Sequence, residues 1–191
     1  KIRKGDNVAI IGETGSGKTS LAKLFMEFYS PDKGHIYVDG AELQNFEVQE
    51  IRKAVVYVSQ EDFLFTASVR ENLKMGNEEI SDEEMIEISR KMGVHQFVSK
   101  MERAYDSVLE ERGKNLSKGQ RQKLSLTRAI LRHPKILILD EATSNMDSIS
   151  EREILNYIKG IRDITLTLIS HRINVIADSD CIYVLQKGNI V

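Results

Sequence analysis

At 191 residues the chain suits one compact domain with a lobe better than two domains of about 150 residues each. Lysine and arginine total 27 against 29 aspartates and glutamates, a net charge of −2 that argues against a general polyanion binder, so no nucleic acid partner is expected. The 41% hydrophobic share is that of a globular protein. The single cysteine, Cys181, excludes a disulfide framework and fits a reducing cytosol, and no apolar run reaches the roughly 18 residues of a membrane span.

In chain order, the turn at Lys4-Gly5-Asp6 leads straight into an apolar run, Val8 to Ile11. The chain stops just after a Lys187-Gly188-Asn189 hairpin signal, so a single domain trimmed at both ends is expected. Further short, continuous apolar runs at Val55 to Val58, Ile136 to Leu139, Leu166 to Ile169 and Ile182 to Leu185 predict strands covered on both faces, as in a parallel sheet between helices. Helical patterns alternate with them over 18–29, 124–131, 151–161 and 173–177, which gives an α/β fold class with a mainly parallel sheet. A short strand pair near Gly34 to Asp39, closed by Asp39-Gly40, predicts a small antiparallel region. Beyond Ser68 the pattern turns charged and helical and carries the capping box Ser81-Asp82-Glu83-Glu84. A helical subdomain over 68–120 is therefore expected between two parts of an α/β core, 1–67 and 121–191.

Gly12-Glu13-Thr14-Gly15-Ser16-Gly17-Lys18-Thr19 satisfies G-x-x-x-x-G-K-[ST] and lies between a predicted strand and a predicted helix, the context that separates a phosphate loop from a chance glycine-rich turn. Its glycines let the backbone turn tightly and aim successive N–H groups inward, and the helix that follows adds positive potential at its N-terminus. Lys18 is placed to reach β- and γ-phosphates, and Thr19 to offer a hydroxyl to Mg²⁺. Downstream, the run Ile136 to Leu139 delivers Asp140 and Glu141 at a strand's C-terminal end, where open α/β sheets place ligands. An acidic pair after a strand is ordinarily a solvated turn or a cap. With the phosphate loop upstream, Asp140 reads as a group for the Mg²⁺ shell and Glu141 as one that orients or deprotonates water near a γ-phosphate.

Leu116-Ser117-Lys118-Gly119-Gln120 completes an ordered set with the phosphate loop, Gln60, the acid pair, Asp147 and His171, and the whole chain resembles the nucleotide-binding domain of ABC transporters. The resemblance implies a P-loop NTPase core that binds ATP and Mg²⁺ and hydrolyses ATP. Two copies would meet head to tail, each nucleotide held by the phosphate loop of one copy, Gly12 to Thr19 with Ser20, and the signature of the other, Ser117, Lys118, Gly119 and Gln120. It also implies that Gln60 is a Mg²⁺ ligand that contacts the attacking water, that His171 bonds the γ-phosphate and aligns Glu141, and that Asp147, in Ser144-Asn145-Met146-Asp147, lies at the dimer interface. From the residues themselves, Ser117 and Gln120 form a capping box at a helix N-terminus, where free N–H groups face an anion. Asp147 equally reads as a plain helix cap, and His171 as a structural histidine.

Lys118 stands where the family has the first of two glycines, and a positive φ there would strain a residue with a Cβ. It reads either as a tolerated, solvent-facing variant or as a weakened signature in an asymmetric heterodimer. Gln60-Glu61-Asp62-Phe63-Leu64-Phe65, Ser68-Val69-Arg70-Glu71-Asn72 and Leu109-Glu110-Glu111-Arg112-Gly113 are similar to the Q-loop and X-loop regions of exporters, with Glu111 matching the X-loop glutamate and Glu110 in place of a usual glycine. These loops imply transmembrane partner domains and a place at the cytoplasmic face of the cell membrane, with Phe63, Leu64 and Phe65 as an apolar contact or as local core. The family's adenine-stacking aromatic lies upstream of the phosphate loop in a strand this sequence does not include, and Tyr29 and Tyr37 are weaker candidates. The alternative function is a soluble ABC-type ATPase of translation or DNA repair. The DNA-repair form needs a long coiled coil between phosphate loop and signature, and no sustained heptads occur there.

Overall fold

The structure is a computed structural model that describes residues 1–61 and 63–191. Asp62, part of the exporter-like loop, lies outside the described residues. The chain forms two compact units, one of Lys1–Tyr57, Pro134–Asp140 and Asp163–Val191, the other of Val58–His133 and Glu141–Arg162.

The first unit is built on strands β1 (Asn7–Ile11), β4 (Val55–Val58, whose last residue falls in the second unit), β5 (Ile136–Asp140), β6 (Thr165–Ile169), β7 (Cys181–Gln186) and β8 (Asn189–Ile190), in the order β4-β5-β6-β1-β7-β8. β1 runs parallel to both β6 and β7, β5 runs parallel to β6, and the β7–β8 hairpin is antiparallel. Every residue of β6 is buried, as a parallel strand covered on both faces must be, which is why its sequence is continuous rather than alternating. The small strands β2 (Tyr37–Val38) and β3 (Ala41–Glu42) pair antiparallel around Asp39-Gly40, both with positive φ, as expected from the turn residues. Ile10, Ile138, Ile169, Val55 and Leu185 from the sheet pack with Ala22 of helix α1 (Lys18–Phe25), Met26 at its C-cap and Ile51 of helix α2 (Val48–Ala54) into one apolar cluster. Each isoleucine, valine, leucine or methionine side chain in it contributes about 1.5–3 kcal/mol by leaving water.

Helix α1 spans Lys18–Phe25 and stops short of the predicted end at Tyr29. Glu27 takes a left-handed φ of 54°, the Phe28 N–H bonds the Lys23 carbonyl and the Glu27 N–H bonds the Leu24 carbonyl, a Schellman ending without the usual glycine. Phe28 and Tyr29 are then exposed. Helix α2 was not predicted. Its capping box uses Glu47 and Glu50, and Glu is not a residue that marks a helix start. Helix α8 (Ile173–Ile176) follows β6.

The second unit holds helices α3 (Val69–Lys74), α4 (Asp82–Lys91), α5 (His95–Val98), α6 (Lys118–Leu131) and α7 (Ser148–Lys159). α3 and α4 both pack on α6, burying Leu73, Met85, Ile88, Leu124 and Leu131. Ser68 and Ser81 cap α3 and α4 by accepting the N–H of Glu71 and Glu84. Arg70 and Lys74 of α3 both pair with Asp82 at the start of α4, and Arg70 also with Asp106.

Ile138 lies fully buried in the middle of β5. Ile138→Ala is expected to destabilise the protein by about 2–5 kcal/mol, read as a shift of the urea unfolding curve. An unshifted midpoint would show that this face of the sheet is not the cooperative core.

Candidate nucleotide site

The phosphate loop occupies the turn between β1 and α1 in the first unit. Gly15 (φ 81°) and Gly17 (φ 103°) take left-handed conformations that only glycine adopts without strain. Gly12 is required for a different reason: a Cβ there would lie 2.2 Å from the Leu185 carbonyl of β7. The far side of the loop is tied down by the Gly188 N–H, which donates to the Ser16 carbonyl at 3.0 Å from the β7–β8 turn. The Lys18 ammonium donates to the carbonyls of Gly12 (2.7 Å) and Glu13 (2.9 Å), so it curls over the loop rather than into solvent. The Ser16 hydroxyl is buried with no hydrogen-bond partner among the described residues. A buried unpaired hydroxyl inside a glycine-rich turn fits a loop that closes on phosphate oxygens.

Opposite this loop, Asp140 ends β5 and is 7% exposed. The Thr19 hydroxyl donates to its Oδ2 at 2.7 Å and the Tyr57 hydroxyl donates to the same oxygen at 2.9 Å. Burial, and then the negative charge and hydrogen bond of Asp140, push the Tyr57 hydroxyl well above its ordinary pKa, so it stays a donor. A threonine hydroxyl and a carboxylate within one hydrogen bond of each other are hard oxygen donors suited to Mg²⁺. No group of three or more His, Cys, Asp or Glu side chains gathers into a metal site among the described residues. His171 follows Ser170 off the end of β6, and the register aligns Ile10, Ile169 and Asp140. The phosphate loop, Asp140 and His171 therefore leave three adjacent parallel strands at their shared C-terminal edge. Tyr29 and Tyr37 are 60% and 62% exposed.

The remaining expected site residues belong to the second unit. Glu141 takes a left-handed φ of 53°, a conformation that costs a non-glycine residue about 1–3 kcal/mol and tends to persist where function requires it. Gln60 is exposed two residues beyond β4. In the loop after it, Leu64 is buried, whereas Phe63 and Phe65 are 54% and 41% exposed and meet edge to face with centroids 4.8 Å apart. Leu64 is thus core and only the two phenylalanines form a surface. Asn72, fully buried, braces this loop by accepting the Phe65 N–H and donating to the Phe65 and Ser68 carbonyls, and Arg128 donates to the Phe63 carbonyl. In the X-loop-like stretch, Glu110 and Glu111 are exposed beside buried Leu109.

The signature forms the first turn of α6. Ser117 accepts the Gln120 N–H and its own N–H is bonded by the Gln120 side chain, completing the expected capping box. Lys118 is exposed and its φ is not positive, so the strain expected of a non-glycine there does not arise. Gly119 is different: a Cβ would meet the Asn145 carbonyl at 3.1 Å. Buried Gln122 accepts the Asn145 N–H at 3.0 Å, and Lys123 donates to the Ser150 hydroxyl at 2.9 Å. Asp147 caps α7 by accepting the Ser150 N–H, and the backbone and side chain of Ser150 hold its carboxyl below the usual range. The signature turn and the 144–147 loop therefore share one open cleft of about 690 Å³, lined in part by Lys118, Lys123, Phe97, Lys100, Asn145 and Asp147. The sequence pattern does not single out Gln122 or Tyr57, and it gives Asn72 only as the end of the exporter-like stretch Ser68 to Asn72. The only signal was a polar residue at a position whose helical or strand neighbours are buried.

Sheet order, phosphate loop and strand-end acid define a P-loop NTPase. The family profile described as ABC transporter matches residues 1–144. The chain is 42% identical over 191 residues to the heterocyst differentiation ATP-binding protein HepA of Nostoc sp., covering 100% of this chain and 32% of that protein. It is 38% identical to the mitochondrial iron-sulfur clusters transporter ABCB7 of Oryzias latipes, covering 100% of this chain and 26% of that one. A bacterial Atm1-family ABC exporter solved with ATP bound superposes with a TM-score of 0.95 at 32% identity, over 100% of this chain and 34% of that chain. The chain belongs to the ABC transporter family, as an ATP-binding ATPase domain of the exporter type. It spans about a third or less of the length of these relatives.

Gln122→Leu leaves the Asn145 N–H without its acceptor and is expected to cost about 1–3 kcal/mol, read by urea unfolding. Equal stability to the parent would mean that the 144–147 loop is held by other contacts.

Proposed function

We propose that the chain is the motor domain of a membrane exporter, in which two copies close head to tail around two ATP molecules and drive transmembrane partner domains. The observation that carries the reading is the meeting of Thr19 and Asp140 at 2.7 Å beside a loop with an unpaired Ser16 hydroxyl. Thr19, Asp140 and Gln60 would hold Mg²⁺, which would supply positive charge to screen the triphosphate.

The backbone from Gly12 to Thr19, with Lys18 and Ser20, binds the phosphates. Lys18 exchanges its two carbonyl acceptors for phosphate oxygens, a stronger, charge-assisted pairing. Glu141 accepts a proton from, or orients, the attacking water, and His171 donates to the γ-phosphate. From the second copy, Ser117, Lys118, Gly119 and Gln120 present the N-terminus of α6 to the same phosphate, and Asp147 sits at the shared interface. Phe63 and Phe65 together with Glu110 and Glu111 face transmembrane partners at the cytoplasmic side of the membrane. The exposure of the aromatic pair on a braced loop supports this contact over a purely internal role.

Glu141→Gln in the full protein retains the size and hydrogen-bonding reach of the side chain but removes the base. It is expected to abolish turnover while retaining bound ATP, measured by phosphate release and by the nucleotide that stays with the protein after rapid gel filtration. Undiminished hydrolysis would overturn the role of Glu141.

The heterodimer reading turns on Lys118. Because that side chain is exposed in a helical conformation, Lys118→Gly is expected to leave the ATPase rate within about twofold, a barrier change of at most about 0.4 kcal/mol. A rise well beyond that would favour a weakened signature paired with a stronger partner.

A further inference from the structure

We infer that Tyr57 is a positioning residue for the metal-facing carboxylate: its hydroxyl fixes the orientation of Asp140 while the other donor to that carboxylate, Thr19, remains free to exchange. The inference rests on the proposed nucleotide site and adds to it a residue outside the phosphate loop and the acid pair.

The two hydroxyls converge on one oxygen, Oδ2 of Asp140, at 2.7 Å from Thr19 and 2.9 Å from Tyr57. A carboxylate oxygen accepts along two lone-pair directions, so these two donors fill it. Their situations differ. Thr19 is itself a candidate metal ligand in the first turn of α1, so its bond to Asp140 opens if the hydroxyl turns to a metal. Tyr57 is no such ligand. It sits in β4, the neighbour of β5 in the sheet, and its ring packs half-buried against the apolar cluster of Ile10, Val55 and Ile138. A hydroxyl carried on a ring wedged into the core has little freedom to follow a moving loop. It therefore holds the carboxylate plane when the Thr19 bond is given up. Partners that orient a metal-binding carboxylate from behind typically change metal affinity by about 10–100-fold when removed.

A phenylalanine at this position keeps the ring and its packing and deletes only the donor. In the full protein, we compare wild type and Tyr57→Phe by two equilibrium measurements that do not require turnover. One is the binding of Mn²⁺, followed by its electron paramagnetic resonance signal, to protein saturated with a non-hydrolysable ATP analogue. The other is the binding of a fluorescent ATP analogue in the presence of a chelator. The expected result is an Mn²⁺ dissociation constant raised about tenfold, with metal-free nucleotide affinity and the thermal unfolding midpoint close to wild type. An Mn²⁺ affinity within twofold of wild type overturns the inference, and so does an equal loss of metal-free nucleotide binding, which marks Tyr57 as merely structural. Tyr57→Leu, which lacks both ring and hydroxyl, must lose metal affinity at least as strongly as the phenylalanine variant. If wild type itself binds no nucleotide under either condition, the nucleotide-site reading falls and this inference falls with it. If wild type binds both normally and Tyr57→Phe is unchanged, only this inference fails.

Discussion

The hydrogen bond between the Thr19 hydroxyl and Asp140 joins residues 121 positions apart, and nothing local brings them together. They meet because β1, β6 and β5 are parallel neighbours in register, so the loop leaving β1 and the carboxylate ending β5 emerge at one edge. Burying a carboxylate to 7% exposure is tolerable only when donors replace its water. Here two hydroxyls do so, one from the phosphate-loop helix and one from the neighbouring strand. The same contact that satisfies the acid thus places two hard oxygen donors side by side.

The strands of the sheet were readable because a parallel strand covered on both faces is a short unbroken apolar run, and Thr165–Ile169 shows the limiting case, buried at every residue. Helix ends were less readable. The stop of α1 depends on Glu27 adopting a left-handed conformation, and the start of α2 on Glu47 acting as a cap, neither of which follows from residue type. The phosphate loop and the signature cap were legible because each is a local hydrogen-bonding pattern with fixed spacing. Tyr57, Asn72 and Gln122 were not. Each is a buried or half-buried polar side chain whose partner, the Asp140 carboxylate, the Phe65 backbone or the Asn145 N–H, lies outside its own helix or strand, so its role exists only in three dimensions.

The two central positions of the signature have unequal structural demands, and that inequality explains how this chain departs from the usual pair of glycines. Position 119 faces a backbone carbonyl of the 144–147 loop so closely that a methyl group would press on it at 3.1 Å. The Gln122 bond to Asn145 prevents the loop from retreating without losing a buried pairing. Position 118 has neither restraint: its side chain is exposed and its backbone is helical. A lysine there opposes the positive end of the α6 dipole, a cost of about 0.3–1 kcal/mol that water screens at an exposed site. The glycine kept is therefore the one that packing enforces, and the one replaced is where a side chain meets only solvent in the separate unit. Within its own unit, then, Lys118 carries no packing or backbone penalty, only a screened charge at the start of a helix.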